Sequence, residues 1–184
     1  AQCSDCANSR YAWAKPALVE REAVQRVIAL AELVDVPVQI FHVTCEEAAE
    51  EIRRAQGRGL KVCGETCPQY LAFTAEALDR PGQEGSKFLC SPAPRSKADQ
   101  EALWRHIRLG TLGCVSSDHA PYQFEGSKGK QAIAREAPFS KIPNGVPGLE
   151  TRMPYLLSEG VRKGRIDLHT FVAITATNPA KLFG

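Results

Sequence analysis

The sequence predicts an α/β fold built on a parallel sheet, and three observations predict it. Three short apolar runs, Val38–Val43, Leu60–Gly64 and Leu112–Ser117, read as buried strands. The stretches between them carry apolar residues at three- and four-residue steps, the period of helices packed on one face. Each strand-like run leads into a polar group: His42, Glu65 and Asp118. Helix and strand alternate along the chain, which calls for helical crossovers between parallel strands. Three strands are too few to close a barrel.

The elements follow in order. Residues 17–35 read as an amphipathic helix with Val24, Val27, Ile28, Ala31 and Val34 facing inward. Thr44 and Glu47 have the spacing of a capping box for a helix that runs to Gln56 and ends at Gly57 or Gly59. Phe88–Cys90 reads as a brief extended piece. Ser96 and Asp99 cap a helix with Ala102, Leu103, Ile107 and Leu109 inward, and Gly110 ends it. Residues 122–141, rich in Gly, Lys and Ser, read as a long loop of the lid or binding type. After the turn cluster Ile142–Gly148, helices are expected over 149–160, from Asp167 through Ile174, and from Asn178 with Pro179 in its first turn.

Composition narrows the function. The chain has 184 residues, about one domain. Its residues are 43% hydrophobic and 24% charged, with a net charge of +2, so neither a nucleic-acid nor a membrane partner is expected. No apolar run approaches the ~20 residues of a membrane span. The polar start, Ala1–Arg10, has no apolar stretch of the leader-peptide kind. The seven cysteines are odd in number, and Cys45, Cys63, Cys90 and Cys114 sit in or beside apolar runs, which favours free thiols in a reducing cytoplasm. Cys3 and Cys6 have metal-site or redox spacing. No second pair and no preceding strand supports either role, so they read as a frayed end.

The chemistry concentrates in Gly113–Pro121, where a small-residue strand ends in Asp118 and His119. Reactive groups of parallel folds stand where the strands end. Neighbouring parallel strands bring such ends to one rim, about 5 Å apart per strand step. His42 and Asp118 on one rim suit a divalent metal. The competing readings are a turn-forming Asp118 and a core histidine at position 42. Two ligands also fall short of the three that a catalytic zinc normally has. His106 and His169, on expected helices, read as packing or surface residues.

The motifs His42-Val43-Thr44, Gly64-Glu65-Thr66-Cys67-Pro68-Gln69-Tyr70-Leu71, Cys90-Ser91-Pro92, Asp99-Gln100-Glu101-Ala102-Leu103-Trp104, Ser116-Ser117-Asp118-His119-Ala120-Pro121, Lys141-Ile142-Pro143-Asn144-Gly145 and Thr177-Asn178-Pro179-Ala180-Lys181 come in that order. In this series the chain resembles the dihydropyrimidinase/D-hydantoinase family of cyclic amidohydrolases. The resemblance runs from about residue 16 to residue 184, which divides the chain into a poorly matched segment 1–15 and a barrel segment 16–184.

The resemblance implies a partial (β/α)8 TIM barrel, roughly strands six to eight with their helices. It implies a site with two divalent metals, usually zinc, bridged by a hydroxide and a carboxylated lysine. His42 matches a histidine ligand of one metal. Asp118 matches the aspartate that binds the other metal and acts as general base. Backbone groups at Ser91 and Asn144 match the positions that hold the amide or imide edge of a small cyclic substrate. Glu65 and Thr66 are expected to shape the pocket without ligating metal, and Cys67 to be a packing residue. The family's first-strand H-x-H, fourth-strand lysine and fifth-strand histidine have no counterpart here. The implied activity is opening of dihydropyrimidines or 5-substituted hydantoins in a homo-oligomer, a tetramer in the family. A non-catalytic partial barrel that works only in assembly is the competing expectation, with allantoinase- or dihydroorotase-like activity as runners-up.

Overall fold

The computed structural model describes residues 9–136 and 139–184. Cys3 and Cys6 therefore lie outside the described residues, as does part of the 1–15 segment.

Two helices, α1 (Ser9–Ala14) and α2 (Ala17–Leu33), precede the first strand. The sheet has strands β1 (Val38–Ile40), β2 (Val62–Thr66) and β3 (Leu112–Val115), in the order β1-β2-β3 and parallel throughout. Helix α3 (Glu46–Gly57) crosses from β1 to β2. Helix α5 (Lys97–Arg108) crosses from β2 to β3, after a short helix α4 (Pro68–Ala72) and two 3-10 turns, Ala75–Asp79 and Glu84–Phe88. This is the expected parallel α/β architecture.

The register places Val38 beside Val62 and Ile40 beside Gly64. It then slips between Gly64 and Glu65, so that Glu65 lies beside Cys114. Gly64 permits the close approach there: a Cβ would sit 2.8 Å from Leu112 Cδ2 and 2.9 Å from Thr111 O.

The main core fills the space between sheet and helices with Val24, Ile28, Ile52, Leu103, Trp104, Ile107, Leu112 and Leu156, among others. Full burial of such a side chain contributes about 1.5–3 kcal/mol. A second, smaller cluster gathers Tyr11, Leu78, Leu89, Ala93 and Ile142, which docks α1 on the body.

Several expectations are corrected. The strands are shorter than 38–43 and 112–117, and the middle one is shifted forward, so Glu65 lies inside β2 and not beyond it. Residues 122–141 contain helix α6 (Lys130–Glu136) and a 3-10 turn, Phe139–Lys141. Phe88 closes a 3-10 turn and is not extended. Of the face expected on α2, Val24, Ile28 and Ala31 are buried, but Val27 and Val34 are exposed, as are Leu18, Leu30 and Leu33. This helix is apolar on both sides.

The C-terminal helices carry π-turns. Helix α7 (Leu149–Tyr155) continues as a π segment to Arg162 past Pro154, which has no N–H to donate. Helix α8 (Leu168–Val172) passes through a π segment, Ala173–Thr177, into α9 (Asn178–Phe183).

Ser96 and Asp99 form the expected capping box, and Asp167 caps α8 through Thr170 N at 2.7 Å. Thr44 does not cap α3. Its hydroxyl and amide instead bond Glu20, the amide at 2.7 Å, and Glu47 pairs with Arg21. Asp99 Oδ1 takes the amide of Glu46 at the start of α3, at 3.0 Å.

Glu20 and Arg95 form an ion pair at 3.1 Å, with side chains 11% and 8% exposed. Arg95 also donates to Thr44 Oγ1 at 2.9 Å and to Lys15 O. Removing one partner of a buried pair strands the other charge. Glu20→Ala should therefore lower the unfolding free energy by about 3–5 kcal/mol, read from urea titration. A loss under about 1 kcal/mol would mean that Arg95 is satisfied without Glu20.

Candidate active site

The backbone ladder continues beyond the strands. Val43 N donates to Glu65 O at 2.8 Å, and Ser116 N donates to Thr66 O at 3.1 Å. Thr66 Oγ1 donates to Val43 O at 2.7 Å. Val43, Thr66 and Ser116 thus lie side by side at the carboxyl end of the sheet. His42 and Asp118 stand at that same end, at the two outer strands of the sheet.

Both residues sit in the left-handed region, each with φ 42°. His and Asp tolerate this conformation better than most residues, at some cost, and such positions gather at functional sites. The signal is not specific, because Asp35, in the turn after α2, has φ 53°.

Glu65 is the brace beneath the rim. It is 8% exposed. Gln39 Nε2, from β1, donates to its Oε2 at 2.8 Å, and Ser116 Oγ, just past β3, donates to its Oε1 at 2.6 Å. With both oxygens engaged, Glu65 ties three strands together and is not free to hold a ligand. Cys67 is fully buried behind it, 3.4 Å from Ser116 Oγ, and burial pushes its thiol up to about 12. Burial does the same to Cys90. Neither is a poised thiolate. The described cysteines Cys45, Cys63, Cys67, Cys90 and Cys114 are all free.

Asp118 is exposed, and Gln69 Nε2 donates to its Oδ2 at 3.3 Å. Gln69 is itself 3% exposed, and its Oε1 has no protein partner. The segment after Asp118 is strapped to the Asn144 turn. Ala120 N donates to Val146 O at 3.1 Å, and Gly148 N donates to His119 Nδ1 at 3.1 Å. Gly145 has φ 153°, and a Cβ there would lie 2.5 Å from Ala120 O, so only glycine allows this approach.

The Ser91 turn is held from below. Tyr70 Oη donates to Pro92 O at 3.2 Å, across a cis Ser91–Pro92 bond. Leu89 O accepts Gly145 N at 2.9 Å, which joins the Ser91 and Asn144 turns. Ser91 also shares a cleft of about 380 Å³ with His42, Gln39, Phe41 and Arg95. Asp118 and Asn144 are not among the residues that line it.

Lys130 is the charged group that sequence reasoning passed over. It is 3% exposed, and its Nζ donates to Ser86 O at 3.2 Å, Leu89 O at 3.1 Å and Gly145 O at 2.6 Å. Burial lowers its pKa from 10.5 to about 8. His106 is fully buried, with Glu50 at 3.6 Å and no hydrogen-bond partner on either ring nitrogen. His169 is exposed on α8. Both match their expected packing and surface roles.

No group of three or more His, Cys, Asp or Glu side chains gathers at one point among the described residues. The donors at the rim, one imidazole and one carboxylate, fit by chemistry a share of a divalent-metal site, and not a whole one. No described helix is long and apolar enough to cross a membrane.

A parallel sheet with helical crossovers and polar groups at its carboxyl end is the arrangement found in a segment of a (β/α) barrel. Comparison with known proteins makes this specific. No family model matches the chain. The chain is 47% identical to a D-hydantoinase of Rhizobium radiobacter over 174 residues, 95% of this chain and 37% of that protein. A D-hydantoinase of Ralstonia pickettii is 45% identical over the same shares. The crystal structure of dihydropyrimidinase from Brevibacillus agri superposes with a TM-score of 0.92 at 45% identity, over 96% of this chain and 38% of that one. The chain belongs to the dihydropyrimidinase/D-hydantoinase family. It spans about 37% of the length of the curated relatives that it matches, and its three strands form part of a barrel.

The depressed pKa of Lys130 has a consequence for stability. Between pH 8 and 10.5 the folded state has released this proton while the unfolded chain still holds it. The unfolded state then binds more protons, so stability rises with pH across that window. Unfolding free energies measured from pH 7 to 10.5 should climb for the wild type relative to Lys130→Met. A difference that is flat or falls would contradict this.

Proposed function

We propose that the enzyme containing this chain is a metal-dependent cyclic amidohydrolase that opens dihydropyrimidines or 5-substituted hydantoins. The observation that supports the proposal is that His42 and Asp118 follow the carboxyl ends of the two outer strands of one parallel sheet, in a chain 47% identical to a D-hydantoinase over 95% of its length.

His42 and Asp118 would hold divalent cations, zinc being the ion that suits an imidazole and a carboxylate. The family resemblance gives each of them to a different ion of a pair. Bound there, such ions polarise a carbonyl and make water acidic enough to ionise near neutral pH.

This chain's residues supply the rest. The backbone of Ser91 and Asn144 presents donors and acceptors to the flat amide or imide edge of the ring. Asp118 accepts the proton of the attacking water through the oxygen that Gln69 leaves free. As the new C–O bond forms and the ring C–N bond breaks, Asp118 passes that proton to the departing nitrogen. The buried thiols take no part.

The protein would work in the cytoplasm, as its free cysteines favour, and as a homo-oligomer, as the family resemblance implies. The competing reading, a non-catalytic partial barrel, draws support from the incomplete donor set alone. The D-hydantoinases among its relatives favour the enzyme over it and over allantoinase or dihydroorotase chemistry.

The test is ring opening of dihydrouracil and hydantoin by the metal-loaded enzyme. Asp118→Asn should lower kcat by about 10²–10⁴-fold, the usual worth of a positioned base. His42→Ala should lower bound metal as well as activity. Full activity in Asp118→Asn would remove the base from the mechanism. The 184-residue chain purified alone should open neither ring. Turnover that disappears with Asp118→Ala would show that two donors and their surroundings suffice.

A further inference from the structure

We infer that Lys130 is a positioning residue that sets the spacing of the two substrate-holding turns, and so governs substrate affinity. The inference rests on the proposed roles of Ser91 and Asn144.

Its basis is the placement of one ammonium between the two turns. Leu89 stands two residues before Ser91, and Gly145 directly follows Asn144. Lys130 Nζ donates to both of their carbonyls and to Ser86 O. Three N–H groups meet three acceptors, so the head is saturated. No ion pair to Lys130 occurs among the described residues. The Tyr122 ring also faces Nζ, with its centroid 5.8 Å away. A buried ammonium without a carboxylate is costly to keep, and ordinary packing would be served as well by Met or Leu. What the charge provides is direction. Charge-assisted bonds are roughly twice as strong as neutral ones, and they fix the carbonyls that they hold. The Leu89–Cys90 and Gly145–Val146 peptide planes are turned toward Nζ, which orients the backbone on the far side of each turn.

The clamp reaches further. Leu89 O accepts both Lys130 Nζ and Gly145 N. The Asn144 turn is strapped in its own right to the segment after Asp118. Lys130 therefore joins the floor under Ser91 to the strap beside Asp118. Yet it lies too deep to touch a substrate itself, which separates its role from that of a catalytic residue.

The test is steady-state kinetics of the metal-loaded enzyme on dihydrouracil and hydantoin. Loss of ground-state positioning raises KM and leaves kcat in place. Lys130→Met should raise KM by about 10-fold or more, the equivalent of one charge-assisted bond, with kcat changed less than about 3-fold. Lys130→Gln keeps two donors and should show the same split at smaller size. It replaces the Met variant should that one fail to fold. Equal KM in wild type and both folded variants, or kcat and KM falling together with thermal stability, would overturn the inference and leave the hydrolase proposal standing. A wild-type enzyme that opens neither ring overturns both.

Discussion

The buried Glu65 carboxylate is the contact on which the rest of this sheet depends. A charge inside a sheet is tolerated only when its oxygens are fully engaged, and here each takes one strong donor. The donors come from opposite sides, Gln39 on β1 and Ser116 beyond β3. One side chain in the middle strand thereby fixes the lateral order of all three strands just below the rim. His42 lies three residues beyond Gln39, and Asp118 lies two residues beyond Ser116. Their separation follows from it.

The same logic recurs in two further places. Arg95 is buried against Glu20, Thr44 and the carbonyl of Lys15, and joins α2 to the segment after the Ser91 turn. Lys130 is buried against three carbonyls on the other side of that turn. The apolar core supplies bulk stability and tolerates volume-conserving change. These three charged groups specify geometry, because each has only one arrangement in which it is satisfied. The floor of the rim is thus polar and rigid, while the thiols around it are inert through burial.

The outer surface has a different character. Helix α2 exposes Leu18, Leu30, Leu33 and Val34, and β1 has a free edge within the described sheet. A helix with apolar residues on two faces is suited to be covered on both, and an open strand edge is suited to be paired or shielded. Both features agree with a segment that corresponds to about 37% of its relatives' length.

Much of this was legible in the amino-acid order. Short apolar runs located the three strands, the pattern of parallel strands covered on both faces, and hydrophobic period located the long helices, because one helical face must recur every 3.6 residues. The caps at Ser96 and Asp167 were legible because their partners lie three residues away. The position of His42 and Asp118 at one edge of the sheet was legible because parallel strands end on the same side. The cap expected at Thr44 failed for the opposite reason. Glu20, 24 residues earlier, claims its hydroxyl, and Asp99, 53 residues later than Glu46, serves the helix start. Helix α6 was hidden by its Gly- and Lys-rich surroundings, and it is held by Lys130 and by Ile133 against the second core. The chain's order alone determined the fold class and the parallel rim with His42 and Asp118 at it, since these follow from apolar runs, local period and strand direction. Only the tertiary structure decided that Glu65 braces, that Gln69 holds Asp118 and that Lys130 clamps the turns. A buried polar group's role is set by which distant atoms surround it, and that is not written in its neighbours along the chain.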